Sequence, residues 1–157
     1  MDRRRNPLIN SPTGGRVLSA VQLPFFLVRP PAGYGVLTTR GRKSGKARRR
    51  CVRVVKRGNR AYLVAIKGPR TAWVKNIQAD PHVRLRVRGG LFLGIAREPK
   101  DDERQMAMEA YCQLSSRFEY LEYRMWRQER PTPAGIQALH RTWFETGTPL
   151  VVELDRS

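Results

Sequence analysis

Thr38 to Arg50 reads TTRGRKSGKARRR and places seven Lys/Arg in thirteen positions, with no acid among them. Gly41 and Gly45 allow a backbone to approach a ligand closely and to present N–H groups to it. Arg42, Lys43, Lys46 and Arg48 add positive charge around those donors. Arg grips phosphate or carboxylate through a planar fork, and Lys acts as a mobile point charge. The stretch therefore suits an anion cradle; a solvated basic turn or a nucleic-acid patch would carry the same residues. A second candidate is AIKGPRTAWVKNIQADPHV, Ala65 to Val83. Trp73 and Asn76, three apart, share one helix face. A flat aromatic beside an amide suits a planar heterocycle, and a core Trp with a capping Asn is the plainer alternative.

The elements that must position these motifs follow from local pattern. Tyr34–Thr39 is rich in aromatic and β-branched residues and reads as a strand. Gly41–Lys46 is a loop. Arg49–Val55 and Arg60–Ile66 flank Lys56-Arg57-Gly58-Asn59, a hairpin with a four-residue turn. Ala72–Ala79 is a short helix closed by Asp80-Pro81. Val83–Arg88 alternates, with Val83, Leu85 and Val87 on one face and three Arg on the other. Gly89-Gly90 turns it into Leu91–Arg97. The second half is helical over Lys100–Ser116, Phe118–Arg130 and Gly135–Phe144, and Asp101, Asp102 and Glu103 suit the positive end of the first dipole. Thr148–Leu154 closes the chain as a strand. Short turns between consecutive strands predict an α+β fold: a small, mainly antiparallel barrel with flanking helices.

Composition narrows the function. The chain has 157 residues and 40% hydrophobic content, enough for one domain with a core. Residues 1–13 read as a basic leader and 14–157 as a single domain, with Gly14–Leu23 a helix that stops before Pro24. Residues 1–79 hold nineteen Lys/Arg against one Asp, whereas residues 80–157 balance twelve against twelve. An excess confined to one half points to an anionic partner: nucleic acid, lipid headgroups or a multiply charged small molecule. Cys51 and Cys112 form no CxxC motif, and His82 and His140 stand apart, so no metal site is expected. Val17–Val28 is apolar but too short to span a bilayer. It suits contact with a membrane surface, and the chain is expected to be cytoplasmic. No GxGxxG or Walker A loop is present.

The paired motifs LTTRGRKSGKARRR and AIKGPRTAWVKNIQADPHVRLRV, with GTPLVVEL at the end, resemble the deazaflavin-dependent nitroreductase family, from Tyr34 to Ala96. The resemblance implies a split β-barrel and coenzyme F420 in preference to FMN. That coenzyme carries a phosphodiester and an oligoglutamate tail, which accounts for the basic stretch. By the same resemblance Arg42, Lys43, Ser44, Gly45 and Arg48, with Arg50, hold phosphate and tail. Ala65, Ile66 and Lys67 line the ring, and Ala72, Trp73 and Asn76 complete that wall. The KGPRTAW segment is shorter than in the family pattern, and Ala72 stands where a bulkier residue can occur, which implies a differently shaped ring pocket. Tyr111, Tyr120 and Tyr123 are the candidates to orient an acceptor or give it a proton, and ordinary amphipathic packing is their alternative. The implied activity is hydride transfer to an electrophilic acceptor such as a quinone or nitro compound, by a monomer or homodimer. Non-catalytic binding of nucleic acid or of an anionic membrane surface is the competing reading, although the basic stretch lacks the interleaved aromatics of a specific nucleic-acid binder.

Overall fold

The computed structural model describes residues 23–114, 116–127 and 129–155. The expected basic leader and most of the expected Gly14–Leu23 helix lie outside them. Six strands close a barrel: β1 (Tyr34–Arg40), β2 (Ala47–Arg57), β3 (Arg60–Ala65), β4 (His82–Val87), β5 (Gly90–Arg97) and β6 (Thr148–Leu154). Around it run β1-β2-β3-β6-β5-β4, with every neighbouring pair antiparallel. Four labelled helices accompany them: α1 (Ala72–Ala79), α2 (Arg104–Cys112), α3 (Phe118–Arg127) and α4 (Pro133–Thr146).

Strand patterning explains how the barrel fills. On β3, Ala61, Leu63 and Ala65 face inward while Tyr62 and Val64 face a helix layer, and all five are buried. β6 does the same with Leu150 and Val152 inside and Val151 outside. Both strands therefore read as continuous apolar runs. Among the described residues no helix layer covers the outer face of β4, and it alternates. The interior joins Leu37, Val54, Leu63, Leu85 and Val152 to Trp73, Val74 and Ile77 of α1, which stoppers one end. Outside, Tyr111, Leu139, Trp143 and Phe144 of the helix layer pack on Tyr62, Val64 and Val151.

Local chemistry moved several boundaries. The β2–β3 turn is two residues, since Arg57 pairs with Arg60 and Gly58 adopts φ 58°; a tight hairpin of this kind needs a left-handed residue. Residues 23–28 are helical, so Pro24 lies within a helical segment. The Arg29 N–H still reaches the Phe25 carbonyl at 3.0 Å. Phe26 is buried edge-on against Tyr34 and Phe118. Asp101, Asp102 and Glu103 precede α2 rather than forming its first turn. Glu103 instead accepts from the Lys100 N–H at 2.7 Å and pairs with Arg97. α4 starts earlier than expected because Thr132 caps it, accepting from the Gly135 N–H at 3.1 Å, with Pro133 in the first turn.

Behind β1 and β2 the helix layer encloses a polar cluster that the sequence pattern did not signal. Arg53 pairs with Glu119 and donates to the carbonyls of Tyr111 (2.7 Å) and Gln113 (2.8 Å). Tyr34 donates to Glu122. Loss of water pushes the Glu122 carboxyl up to about 7; the Tyr34 hydrogen bond and the Arg53 charge oppose that shift, and Glu119 adds to it. His140, edge-on to Tyr111, is driven down to about 3 by burial and then by the Arg53 charge.

These two groups tilt stability in opposite directions. Glu122 keeps a proton in the fold that the unfolded chain releases between about pH 4.5 and 7, so its contribution falls as pH rises through that window. The unfolded chain protonates His140 between about pH 6.5 and 3 while the fold refuses that proton, so its contribution falls as pH drops. The slopes oppose one another where the windows overlap. Glu122→Gln keeps an acceptor for Tyr34 and removes one slope. Urea unfolding of this variant should show an acid-side loss steeper than wild type by up to about 1.4 kcal/mol per pH unit. Parallel wild-type and variant curves between pH 4.5 and 6.5 would contradict it.

Candidate functional site

Strand directions bring the two sequence motifs to one end of the barrel. β1 and β3 run the same way, so the 41–46 loop after β1 and Ala65–Lys67 after β3 emerge at the same mouth. α1 enters that mouth, and β4 starts from it. β2 extends past its pairing with β3, which stops at Val54↔Leu63. On the overhanging part Arg50 pairs with Leu37 and Arg48 with Thr39. Directly paired residues share a face, and Leu37 is inside the barrel. Arg48 and Arg50 therefore lie on the inner face of β2, at the open mouth. Arg49 takes the outer face.

The loop is tied to α1 by one amide. The Asn76 side chain accepts from the Arg42 N–H and from Arg42 Nη1, both at 3.2 Å, and donates to Thr39 Oγ1 at 3.1 Å. Arg42 Nη1 also reaches the Ala72 carbonyl at 3.5 Å. Gly45 at φ 70° reverses the chain, and its N–H donates to the Gly41 carbonyl at 2.8 Å. The Gly41 N–H goes to the Lys46 carbonyl at 2.8 Å. The glycine amides thus build the turn rather than face a ligand, and Arg42, Lys43, Ser44 and Lys46 are exposed around it. Asn76→Ala should destabilise the fold by about 1–3 kcal/mol, because it strips partners from a buried network. It should also weaken anion binding at the loop. Urea unfolding with a coenzyme titration checks both; an unchanged dissociation constant would remove Asn76 as the support of Arg42.

The remaining candidates fall into two groups. Lys67 is exposed, and its ammonium is lowered by desolvation and then by the charge of Arg50. A cation of β2 and one of the turn after β3 are held near one another at the mouth. Ala65 is buried opposite Thr148, Ile66 is half-buried and Ala72 is exposed. Trp73 is 8% exposed and belongs to the barrel interior, so it packs as a core residue. Tyr111 is 1% exposed beneath the helix layer. Tyr123 is buried, with its hydroxyl 3.3 Å from Glu129, and Tyr120 packs half-buried against the same cluster. The structure gathers Arg42, Lys43, Ser44, Gly45, Arg48, Arg50, Ile66, Lys67 and Ala72 around the mouth. Tyr111 and Tyr123 are enclosed in the helix layer instead.

A cleft that the sequence reading missed adjoins this mouth. It encloses about 200 Å³ and is lined by Ile66, Lys67, Trp126, Leu139, Thr142 and Trp143, among others. Trp126 and Trp143 meet edge to face at 5.2 Å. The helix read over Gly135–Phe144 carries Leu139 and Trp143, but nothing in it named Ile66 and Lys67 as neighbours.

A family model for F420H(2)-dependent quinone reductases matches residues 28–136. The chain belongs to this family. This quinone reductase family member is an F420-dependent oxidoreductase, and coenzyme F420 is its cofactor. Among solved structures, an F420-H2 dependent reductase matches with 23% identity and a TM-score of 0.53, over 77% of this chain and 94% of its own. A structure described as a domain-swapped dimer matches at 22% identity and TM-score 0.53, over 91% and 100%. A heme binding protein from Mycobacterium smegmatis matches at 16% identity and TM-score 0.53, covering 78% of this chain and 46% of that one. These likenesses are at the level of the barrel. The mouth of this family member fits the coenzyme on its own chemistry. Arg48, Arg50 and Lys67 converge there, and repulsion between Arg50 and Lys67 favours an anion between them. Among the described residues no group of three His, Cys, Asp or Glu could hold a metal, and no helix is long and apolar enough to cross a membrane.

Proposed function

We propose that this protein reduces a quinone with F420H2, and that the two sides of the Ile66–Lys67 segment divide the work. Arg42, Lys43, Ser44, Arg48 and Arg50 would hold the phosphodiester and oligoglutamate tail, with Gly45 turning the chain beneath them. Ala65, Ile66, Lys67 and Ala72 would border the ring, with Trp73 and Asn76 fixing α1 beneath it. When bound, the reduced coenzyme supplies a hydride. The protein's part is position and electrostatics.

The observation that carries this reading is the shared border. Ile66 and Lys67 stand beside the cationic mouth and also line the aromatic cleft. A planar, apolar acceptor suits that cleft because Trp126, Trp143 and Leu139 offer ring faces, ring edges and aliphatic contact. Lys67 Nζ is the ionisable group common to both sides. Its ammonium is placed to give a proton to a reduced acceptor in the cleft. Arg48 and Arg50 face into the mouth, which favours a small anion over a nucleic-acid duplex. In the run proposed to touch a membrane, residues 17–28, the described Phe25 and Val28 are 73% and 81% exposed.

Fluorescence titration of oxidised F420, with FMN in parallel, tests the cofactor assignment. Dissociation constants in the micromolar range or below for F420, with weaker FMN binding, are expected. Turnover of a short-chain naphthoquinone with F420H2 should then exceed that of a nitroimidazole. Trp126→Ala should raise KM for the quinone while leaving coenzyme affinity unchanged. Loss of coenzyme binding in that variant would overturn the division of the two sides.

A further inference from the structure

Among the described residues, one side of the barrel carries little helix cover. The helices stack chiefly against β1, β2, β3 and β6. On β5, Leu91, Leu93 and Ile95 alternate outward and are 57%, 50% and 46% exposed. Single exposed leucines are ordinary, but three in register on one strand form a contiguous stripe. Their cross-strand partners on β4 are Arg86, Arg84 and His82, on the same outer face. One strand further, Arg86 pairs with Val36 and Arg84 with Thr38, and Thr38 pairs with Arg49 of β2. The stripe is thus bordered by a rank of arginines. Arg86 Nε is enclosed and has no hydrogen-bond partner among the described residues. Of the acids beside the stripe, Glu153, opposite Ile95, pairs with Arg97 at 2.9 Å and Asp80 bonds His82 at 2.8 Å, which leaves Asp155, whose N–H donates to the Leu93 carbonyl at 2.9 Å, as one acid against the rank of arginines.

We infer that the outer β4–β5 face docks on an anionic lipid bilayer, with Leu91, Leu93 and Ile95 entering the interface and Arg84 and Arg86 meeting lipid phosphates. Charge chooses this occupant over a second copy of the chain. A symmetric partner would bring its own arginine rank against this one, whereas anionic headgroups neutralise it. Long arginine stems can lie along apolar surface while their guanidinium ends reach phosphate. The inference goes beyond the proposed reaction, and it rests on residues other than 17–28.

Vesicle flotation of the full chain tests it, with phosphatidylcholine alone against phosphatidylcholine containing about a third phosphatidylglycerol. Wild type should partition at least ten-fold more strongly to the anionic vesicles. Leu91→Thr/Leu93→Thr/Ile95→Thr places β-branched residues along the strand and should lower that partitioning ten-fold or more. Arg84→Gln/Arg86→Gln should erase the preference for anionic lipid. Both variants should bind F420 and turn over a water-soluble quinone as wild type does, so a failed reductase assignment would show in those assays and not in flotation. Unchanged flotation of the threonine variant would overturn the inference. So would loss of flotation only in Phe25→Ser/Val28→Ser, or a wild-type dimer in light scattering that the threonine variant converts to monomer.

Discussion

Arg53→Met should destabilise the protein by about 3–5 kcal/mol in urea unfolding, the largest effect expected from one substitution between β2 and the helix layer. The Arg53 and Glu119 side chains are 1% and 0% exposed. Removing the cation leaves the Glu119 carboxylate enclosed without its counter-charge. It also takes both Arg53 donors from the Tyr111 carbonyl and one from the Gln113 carbonyl, where α2 ends. The aromatic faces of Tyr34 and Tyr111, 5.8 and 5.2 Å from the guanidinium carbon, lose a cation as well. A methionine fills much of the volume but satisfies none of these groups. Arg53→Met/Glu119→Leu should recover part of the loss, since a buried pair replaced by apolar residues is often close to neutral. A single variant within 1 kcal/mol of wild type would mean that water reaches the pair and screens it.

The second large effect is on binding. Arg48→Ala/Arg50→Ala should weaken F420 by roughly 100-fold or more, because each charge-assisted contact to phosphate or carboxylate contributes about 1.5–3 kcal/mol. Stability should change little, since both side chains stand at an open mouth rather than in the packed interior. The loss should shrink as salt rises, because screening weakens the wild-type interaction. A variant that binds F420 as tightly as wild type would place the tail elsewhere, and the exposed Lys43 and Lys46 would be the next to substitute.

Much of the barrel could be read from period and punctuation. Val83, Leu85 and Val87 alternate because β4 has one wet face, and Asp80-Pro81 marks the end of α1. The basic loop and Trp73-Asn76 were visible as motifs, and antiparallel pairing placed them at one mouth. Reading failed where meaning depended on distant partners. Arg53 belongs to a visibly basic strand, and nothing local separates it from Arg49. Only Glu119, 66 positions away, makes it a buried anchor. Tyr111 fitted either an acceptor-side role or amphipathic packing, and only the fold, which buries it on α2 against α4 and β3, shows it enclosed. Trp126 and Trp143 gained their relation to Lys67 from the fold of α3 and α4 over the barrel.

β2 carries two arginine sets in alternate positions. Arg48 and Arg50 face the mouth, and Arg49, Cys51 and Arg53 face outward. Ligand recognition and helix anchoring therefore change independently under point substitution, although they occupy neighbouring residues. A library that randomises positions 48 and 50 should retain folded members at high frequency and vary in the anions they accept. One that randomises position 53 should be dominated by unfolded chains. Deleting one residue inside the strand would exchange the two sets at once, so this segment can drift in chemistry but not in length.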